Sequence, residues 1–260
     1  MFMPMTLVHP AVVLPAAACR PLPTSALVAG SLAPDLPKLL PPLETAVRGA
    51  GLADAAQFTH TYPGAATLGA LLGAVLLTLF HLLLKQPLLA LTPDRLGRKL
   101  TAPAVGFRCD SVPRALWTML ALALGAASHV LLDDLTHPDP RLGLHRTLQA
   151  GITVVLAAVM VAVAAWWLIR QPTGQPASLP RPLRRAPLWL TLAALPAAVL
   201  LWGAVTFDQA YQPTPYLRLH HGVTLALPAL AGLVTLYALV WHVLRRTGTP
   251  AAKHRAATPQ

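Results

Sequence analysis

The chain of 260 residues is 55% hydrophobic and only 11% charged, with 20 Lys and Arg against 9 Asp and Glu. Several apolar runs exceed the roughly 18 residues that mark a membrane-spanning helix, which excludes a soluble globular domain. The basic excess would point to nucleic acid in a soluble protein, but here the cations fall between the apolar runs, where membrane topology needs them, so nucleic acid is not an expected partner.

Residues 1–63 come first. Pro4, Pro10, Pro15, Pro21, Pro23, Pro34 and Pro37 leave room there only for short helical pieces. This segment is expected to be interfacial or re-entrant, folded over the outer mouth of a helix bundle. Ala16-Ala17-Ala18-Cys19 hints at a cleavage site, yet no basic residue precedes Arg20 and two prolines interrupt the apolar run, so cleavage is not expected.

Five segments then have the length and polarity of spanning helices: 64–84, 115–135, 150–169, 187–207 and 222–244. The connections 85–114, 136–149, 170–186 and 208–221 and the tail after 244 hold six, two, four, one and four Lys or Arg in turn. Because cytoplasmic loops keep the basic excess, this alternation places 85–114, 170–186 and the carboxyl terminus inside and residues 1–63 outside. Cys19 and Cys109 then face opposite sides of the bilayer, which excludes a disulfide between them. The fold class expected is an all-α polytopic membrane bundle of about five spans. Residues 1–63 form a broken-helix segment, 64–244 the transmembrane bundle, and 245–260 a disordered basic cytoplasmic tail.

The second predicted span ends in "SHVLLDDLTHP", residues 128–138, and carries its charge in its outer half. Residues four apart share a helix face, so His129, Asp133 and His137 form one stripe that Pro138 terminates. An Asp placed unpaired in the bilayer costs about 2.5–3.5 kcal/mol on insertion scales, and a divalent cation between imidazole and carboxylate would offset that. A headgroup-level position, where the same groups are wet, is the bland alternative. Three more polar residues fall on the same predicted side: His9 in "TLVHP", Asp35 in "GSLAPD" and His60 in "QFTHTYPG". Three imidazoles and two carboxylates suit zinc, manganese or iron, as one ion with an open position or two sharing a carboxylate.

Other residues carry weaker signals. Asp134 points about 100° from Asp133 and reads as a supporting or boundary group. His137 serves equally as a ligand or as a helix carboxyl-end cap. His220 and His221 lie in the predicted outer loop and read as interfacial, while His81 and His242 fall at the inner ends of spans, about 30 Å from the cluster. Trp117, Trp166, Trp167, Trp189, Trp202 and Trp241 read as interfacial anchors. Gly69 and Gly73 are spaced for close helix contact. In the basic connection, Leu96 and Leu100 among Arg95, Arg98 and Lys99 suit anionic inner-leaflet lipid as well as a topological role.

"TLVHPAVVLP", "SALVAGSLAPD", "THTYPG" and "GAASHVLLDDLTHP" resemble, in order and spacing, the bacterial membrane family domain-of-unknown-function 4184. A more distant similarity is to bacterial inner-membrane proteins described as membrane-bound metal-dependent hydrolases. These share an early His, a Pro-Asp, a Thr-His and a Gly-x-x-x-His-x-x-x-Asp. The resemblance implies His9, Asp35, His60, His129 and Asp133 as metal ligands, with Gly125 opening the last motif. Those relatives often carry a second Asp after the Pro-Asp and an Arg-Gly before the Thr-His; here Lys38 and Gln57-Phe58 stand near those positions, which removes the support for a second metal or a phosphate-gripping Arg.

The leading expectation is a metal-dependent hydrolase of the bacterial plasma membrane. Its site would lie at the extracytoplasmic face, with zinc as first choice and manganese or iron as alternatives, acting on a lipid or phosphoester substrate from the bilayer. Asp134 and His137 are the general-base candidates. A metal-ion transporter would need polar residues through several spans, and the middles of predicted spans three and four have none. A non-catalytic scaffold would close every coordination position with protein ligands.

Overall fold

The computed structural model of the chain describes residues 8–16, 19, 21–39, 45, 49, 54–104, 107–136, 145–174, 193–194, 197–198 and 215–247. Every regular element among them is helical. Short pieces come first: α1 (Pro10–Val13), α2 (Thr24–Leu32), a 3-10 turn (Ala33–Asp35), α3 (Leu36–Leu39) and α4 (Ala55–Phe58). Long helices follow: α5, continuous over Tyr62–Leu91 with π-helical turns at Ala65–Gly69 and Phe80–Leu84, then α6 (Asp94–Ala104), α7 (Val112–Thr136), α8 (His145–Arg170) and α9 (Pro215–Thr247).

Among the described residues, four stretches are long and apolar enough to cross a membrane: Tyr62–Leu91, Val112–Leu135, Gly151–Arg170 and Pro228–Arg246. They coincide with the first, second, third and fifth predicted spans, so this is an all-helical polytopic membrane protein. The predicted span 187–207 lies almost wholly outside the described residues, as does the tail 248–260. Two expected connections are corrected. Within 85–114 much of the described chain is helical: α5 runs on to Leu91, and Asp94–Ala104 forms the amphipathic α6, with Arg95 and Arg98 exposed and Leu96 and Leu100 half-buried. The expected loop 208–221 is helical from Pro215, so His220 and His221 belong to α9.

The chain divides into two units, residues 1–79 with 102–173, and residues 80–101 with 174–260. In the second, the His242 Nε2–H donates to the Leu83 carbonyl at 3.0 Å, and His81 Nδ1 lies 3.0 Å from Lys85 Nζ. Trp241 is buried rather than exposed as an anchor, whereas Trp117, Trp166 and Trp167 are exposed on helix surfaces as expected.

The first unit is built around α7, and α2 packs on it more extensively than does any other element. Thr24–Leu32 has no strong polar face, so it can be covered all round. Ala26, Leu27 and Ala29 join Val13, Ala70, Leu77, Ala121 and Leu122 in one apolar cluster. A nine-residue helix is too short to cross; it lies along the flanks of α5 and α7 instead of over their ends. Glycines permit the contact. A Cβ on Gly30 would stand 2.2 Å from the Leu122 carbonyl oxygen, one on Gly125 would stand 2.3 Å from that of Leu27, and one on Gly73 would stand 3.2 Å from Gly30 Cα. Gly69 abuts the Ala126 Cβ in the same way, so the small-residue spacing read on α5 is used. Cys19 and Cys109 are both free thiols.

Because the atoms opposing Gly125 are backbone and cannot swing aside, Gly125→Val is expected to lower stability by about 3 kcal/mol, the upper range for overpacking. Gly151, where an added Cβ would meet nothing within 4 Å, supplies the control: Gly151→Ala should stay within about 0.5 kcal/mol of the parent. Unfolding in detergent, followed by circular dichroism, measures both.

Candidate metal centre

Four separate pieces of the first unit converge on one point. His9 immediately precedes α1, whose first residue is Pro10, a good helix starter because its missing N–H is not needed there. Val8 and Val12 pack with Leu132, Ile152 and Leu156, which pins this turn between α7 and α8. Asp35 ends the 3-10 turn after α2, His60 precedes α5, and His129 and Asp133 stand one turn apart on α7.

The start of α5 explains the "THTYPG" motif. Thr61 is the N-cap, its Oγ1 accepting from the Gly64 N–H at 3.1 Å, and Pro63 lies in the first turn. Thr59 is fully buried and its hydroxyl donates to the Pro34 carbonyl at 2.8 Å. That bond ties the segment before α5 to the residue preceding Asp35, so His60 and Asp35 meet.

Geometry around the cluster is tight. His9 Nε2 lies 3.2 Å from Asp133 Oδ1; His60 Nε2 lies 3.2 Å from Asp35 Oδ1 and 3.6 Å from Asp133 Oδ2. His129 Nε2 lies 3.6 Å from Asp35 Oδ2 and 3.4 Å from Asp133 Oδ2. The His9 and His129 rings stack with centroids 3.7 Å apart, and His60 meets His129 edge-on at 5.2 Å. The side chains of His9, Asp35 and His129 are wholly buried, while Asp133 and His60 retain 12% and 16% exposure.

Two of the imidazoles have their tautomer set by backbone carbonyls. A carbonyl oxygen only accepts, so His129 Nδ1–H must donate to Ser31 O, at 2.8 Å, and His60 Nδ1–H to Ala56 O, at 2.7 Å. In the neutral ring Nε2 is then a lone pair aimed at carboxylate oxygens, which are also acceptors. His129 Nε2 is buried and has no hydrogen-bond partner among the described residues. Acceptors facing acceptors in an apolar interior are costly unless a proton or a cation stands between them. Two ligand triads among the described residues, His9/Asp35/His129 and His60/His129/Asp133, each offer atoms within 4.8 Å of one another, a spacing that suits a metal ion. Nδ1 held by a carbonyl with Nε2 facing inward is also the usual arrangement of a metal-binding histidine.

All five residues singled out in the sequence are thus brought together. Others are not. Asp134 is exposed and accepts from the Tyr62 hydroxyl at 3.1 Å, outside the cluster. His137 lies outside the described residues, and of His220 and His221 only the backbone is described. His81 and His242 belong to the second unit. Sequence reasoning missed Ser31 and Ala56, which act through carbonyls and so leave no side-chain signal. It passed over Thr59 as well, although a Thr directly before a candidate His was there to be read. Lys38, noted only as a departure, has Nζ 3.0 Å from His60 Nε2.

Thr59→Val keeps the shape but leaves the Pro34 carbonyl buried without its donor, so it is expected to cost about 1–2 kcal/mol. Thr59→Ser should recover most of that, because it keeps the hydroxyl. Unfolding midpoints in detergent compare the three proteins.

Comparison with curated proteins and with solved structures found no match. A family model did match, described as Domain of unknown function (DUF4184), over residues 3–209. That range takes in all five clustered residues and runs past α8, beyond the last of the quoted motifs. The chain belongs to this family.

Proposed function

We propose that the chain is a membrane-bound metal-dependent hydrolase. Its divalent ion would be drawn in by His9, Asp35, His60, His129 and Asp133, and its substrate would be a phosphoester or lipid arriving from the bilayer. The observation that carries this reading is His129: a buried Nε2 lone pair without a donor, 3.4 Å from one carboxylate oxygen and 3.6 Å from another. A cation satisfies all three acceptors at once. The donor set of imidazoles and carboxylates favours zinc, with manganese or iron as alternatives.

A hydrolytic rather than structural role is supported by the uneven burial of the cluster. Its His9, Asp35 and His129 side is sealed, whereas His60 and Asp133 keep some exposure and Lys38 beside them is 39% exposed. A structural zinc site is closed by protein on every side, and a catalytic one leaves a position open. A divalent ion held there would supply Lewis acidity and acidify a water. The chain's own part is to hold the ligands in place through Ser31, Ala56 and Pro34, and to exclude water from the deep side. The basic bias of the loops supports a site at the extracytoplasmic face of a bacterial plasma membrane, with the carboxyl terminus in the cytoplasm.

Metal analysis of the purified protein is expected to find about one divalent ion per chain, lost in His129→Ala and in Asp35→Asn. A chelator should lower the unfolding midpoint of the parent and not of the variants. Hydrolysis of a chromogenic phosphoester or of a phospholipid panel should fall more than a hundredfold in both variants, beyond the roughly 10–100-fold that losing an outer partner of a ligand costs. Parent protein free of bound metal after expression in metal-replete medium would end this reading.

A further inference from the structure

The helix between the first two spans is held at the membrane surface by its own connections. α5 ends at Leu91, Thr92 turns to extended backbone (φ −68°, ψ 145°) before Pro93, and α6 starts at Asp94. The Thr92 hydroxyl donates to the Leu89 carbonyl at 2.7 Å and the Gly97 N–H to the Pro93 carbonyl at 2.8 Å. A Cβ on Gly97 would stand 2.9 Å from Thr92 Oγ1, so α6 is folded tightly onto the end of α5. At its other end the chain passes from Ala104 into the next span at Val112. An 11-residue helix tied to spans at both ends is too short to cross and lies in the interface.

Its two sides differ. At about 3.6 residues per turn, Arg98, Arg95 and Lys99 fall within about 100° of arc, and Pro103, Leu96, Leu100 and Ala104 fill a similar arc opposite. Burial follows the same division: Arg95 and Arg98 are exposed, Gly97 is buried, and Lys99 at the margin is half-buried like Leu96 and Leu100. Neither Arg95 nor Arg98 has a hydrogen bond or ion pair through its side chain among the described residues. The last turn of α9 adds to this charge. α9 packs on Lys85–Leu91, and the His242 bond to the Leu83 carbonyl sets its level. Beyond it, Arg245 lies over the Trp241 ring at 5.1 Å and Arg246 is exposed.

The described side chains of the second unit thus include Lys85, Arg95, Arg98, Lys99, Arg245 and Arg246, with Asp94 as the one carboxylate. Cations gathered on one surface repel unless counter-charge is brought to them. A topological signal needs only that basic residues stay on one side of the membrane, and an irregular loop carries it equally well. Presenting them on the polar side of an interfacial helix serves a further purpose, since phosphodiester headgroups lie at that depth.

We propose that the cationic side of α6, with Arg95 and Arg98 as its contact residues, binds the headgroups of anionic phospholipids in the leaflet where α5 ends, and that Arg246 adds to it from α9. Guanidinium suits this role because its planar fork pairs with two phosphate oxygens at once. None of these residues belongs to the metal centre, so either reading stands without the other.

The test titrates phosphatidylglycerol, with phosphatidylcholine as the neutral comparison, into the full-length protein in dodecylmaltoside micelles and follows the unfolding midpoint. Phosphatidylglycerol should raise the midpoint at mole fractions where phosphatidylcholine does not, and the rise should fade at about 1 M salt, where the Debye length is about 3 Å. The double variant Arg95→Gln, Arg98→Gln is expected to need about twenty-fivefold more phosphatidylglycerol for the same rise, from about fivefold per surface arginine. Arg114→Gln with Arg170→Gln removes equal charge where it is already engaged, by Asp110 and by the Trp166 ring at 4.4 Å, and should titrate like the parent. Each rise is taken from that protein's own midpoint without lipid, so a change in basal stability does not obscure it. Equal titration of the parent and the first double variant overturns the proposal and leaves these cations to topology alone. Equal weakening in both double variants overturns the assignment to α6, and a rise produced by soluble polyphosphate but not by phosphatidylglycerol overturns it in favour of a soluble acidic partner.

Discussion

The backbone-to-backbone approach of α2 to α7 is the constraint on which the rest of the first unit depends. Gly30 and Gly125 remove the Cβ atoms that would hold the two helices apart. The Ser31 carbonyl thereby reaches the His129 ring, and the 3-10 turn that follows delivers Asp35 to the same place. Inside a bilayer, where lipid tails are as apolar as the protein's own leucines, hydrophobic burial helps such a contact little, so packing of small residues and hydrogen bonds to polar ones must hold it. Here the two act on adjacent residues: glycine contact at 30 and a carbonyl-to-imidazole bond at 31.

That proximity creates an electrostatic problem as well as solving a steric one. Two carboxylates and three imidazoles converge where little water reaches, and their hydrogens are partly spent elsewhere. Carbonyls of Ser31 and Ala56 hold the Nδ1 hydrogens of His129 and His60, leaving lone pairs to face Asp35 and Asp133. A set of acceptors turned inward is stable only with positive charge among them. Lys38 meets part of that demand at the open edge, next to His60. The side around His9 and His129 is the more deeply buried one.

The motifs gain a physical meaning from this arrangement. In Thr59-His60 the threonine hydroxyl fastens the segment to Pro34 while the histidine turns to Asp35, so two adjacent residues reach two adjacent residues across a sequence gap of 25. His9 depends on Val8, whose packing with Leu132 and Ile152 sets its level against Asp133. The exposed leucines and valines on the outer faces of α7 and α8 are, for a chain of this hydropathy, lipid-facing surface rather than docking patches.

By itself the sequence determined the helical, membrane-spanning character of the chain, because a run of about twenty apolar residues has few other solutions. It also marked the five polar residues, since burial in a greasy segment makes each conspicuous. The i, i+4 spacing of His129 and Asp133 is enough on its own to put those two on one helix face. Where helices end was less legible: the basic residues from Lys85 onward read as a loop, yet leucines between them carry α5 to Leu91 and build α6, since charge sets topology and not the limits of a helix. Only the tertiary structure decided which imidazole nitrogen faces inward and that Lys38 stands at the edge of the cluster. Those depend on carbonyl groups and on distances between segments far apart in the chain, and backbone oxygens are the same in every residue, so no pattern of side chains records where they point.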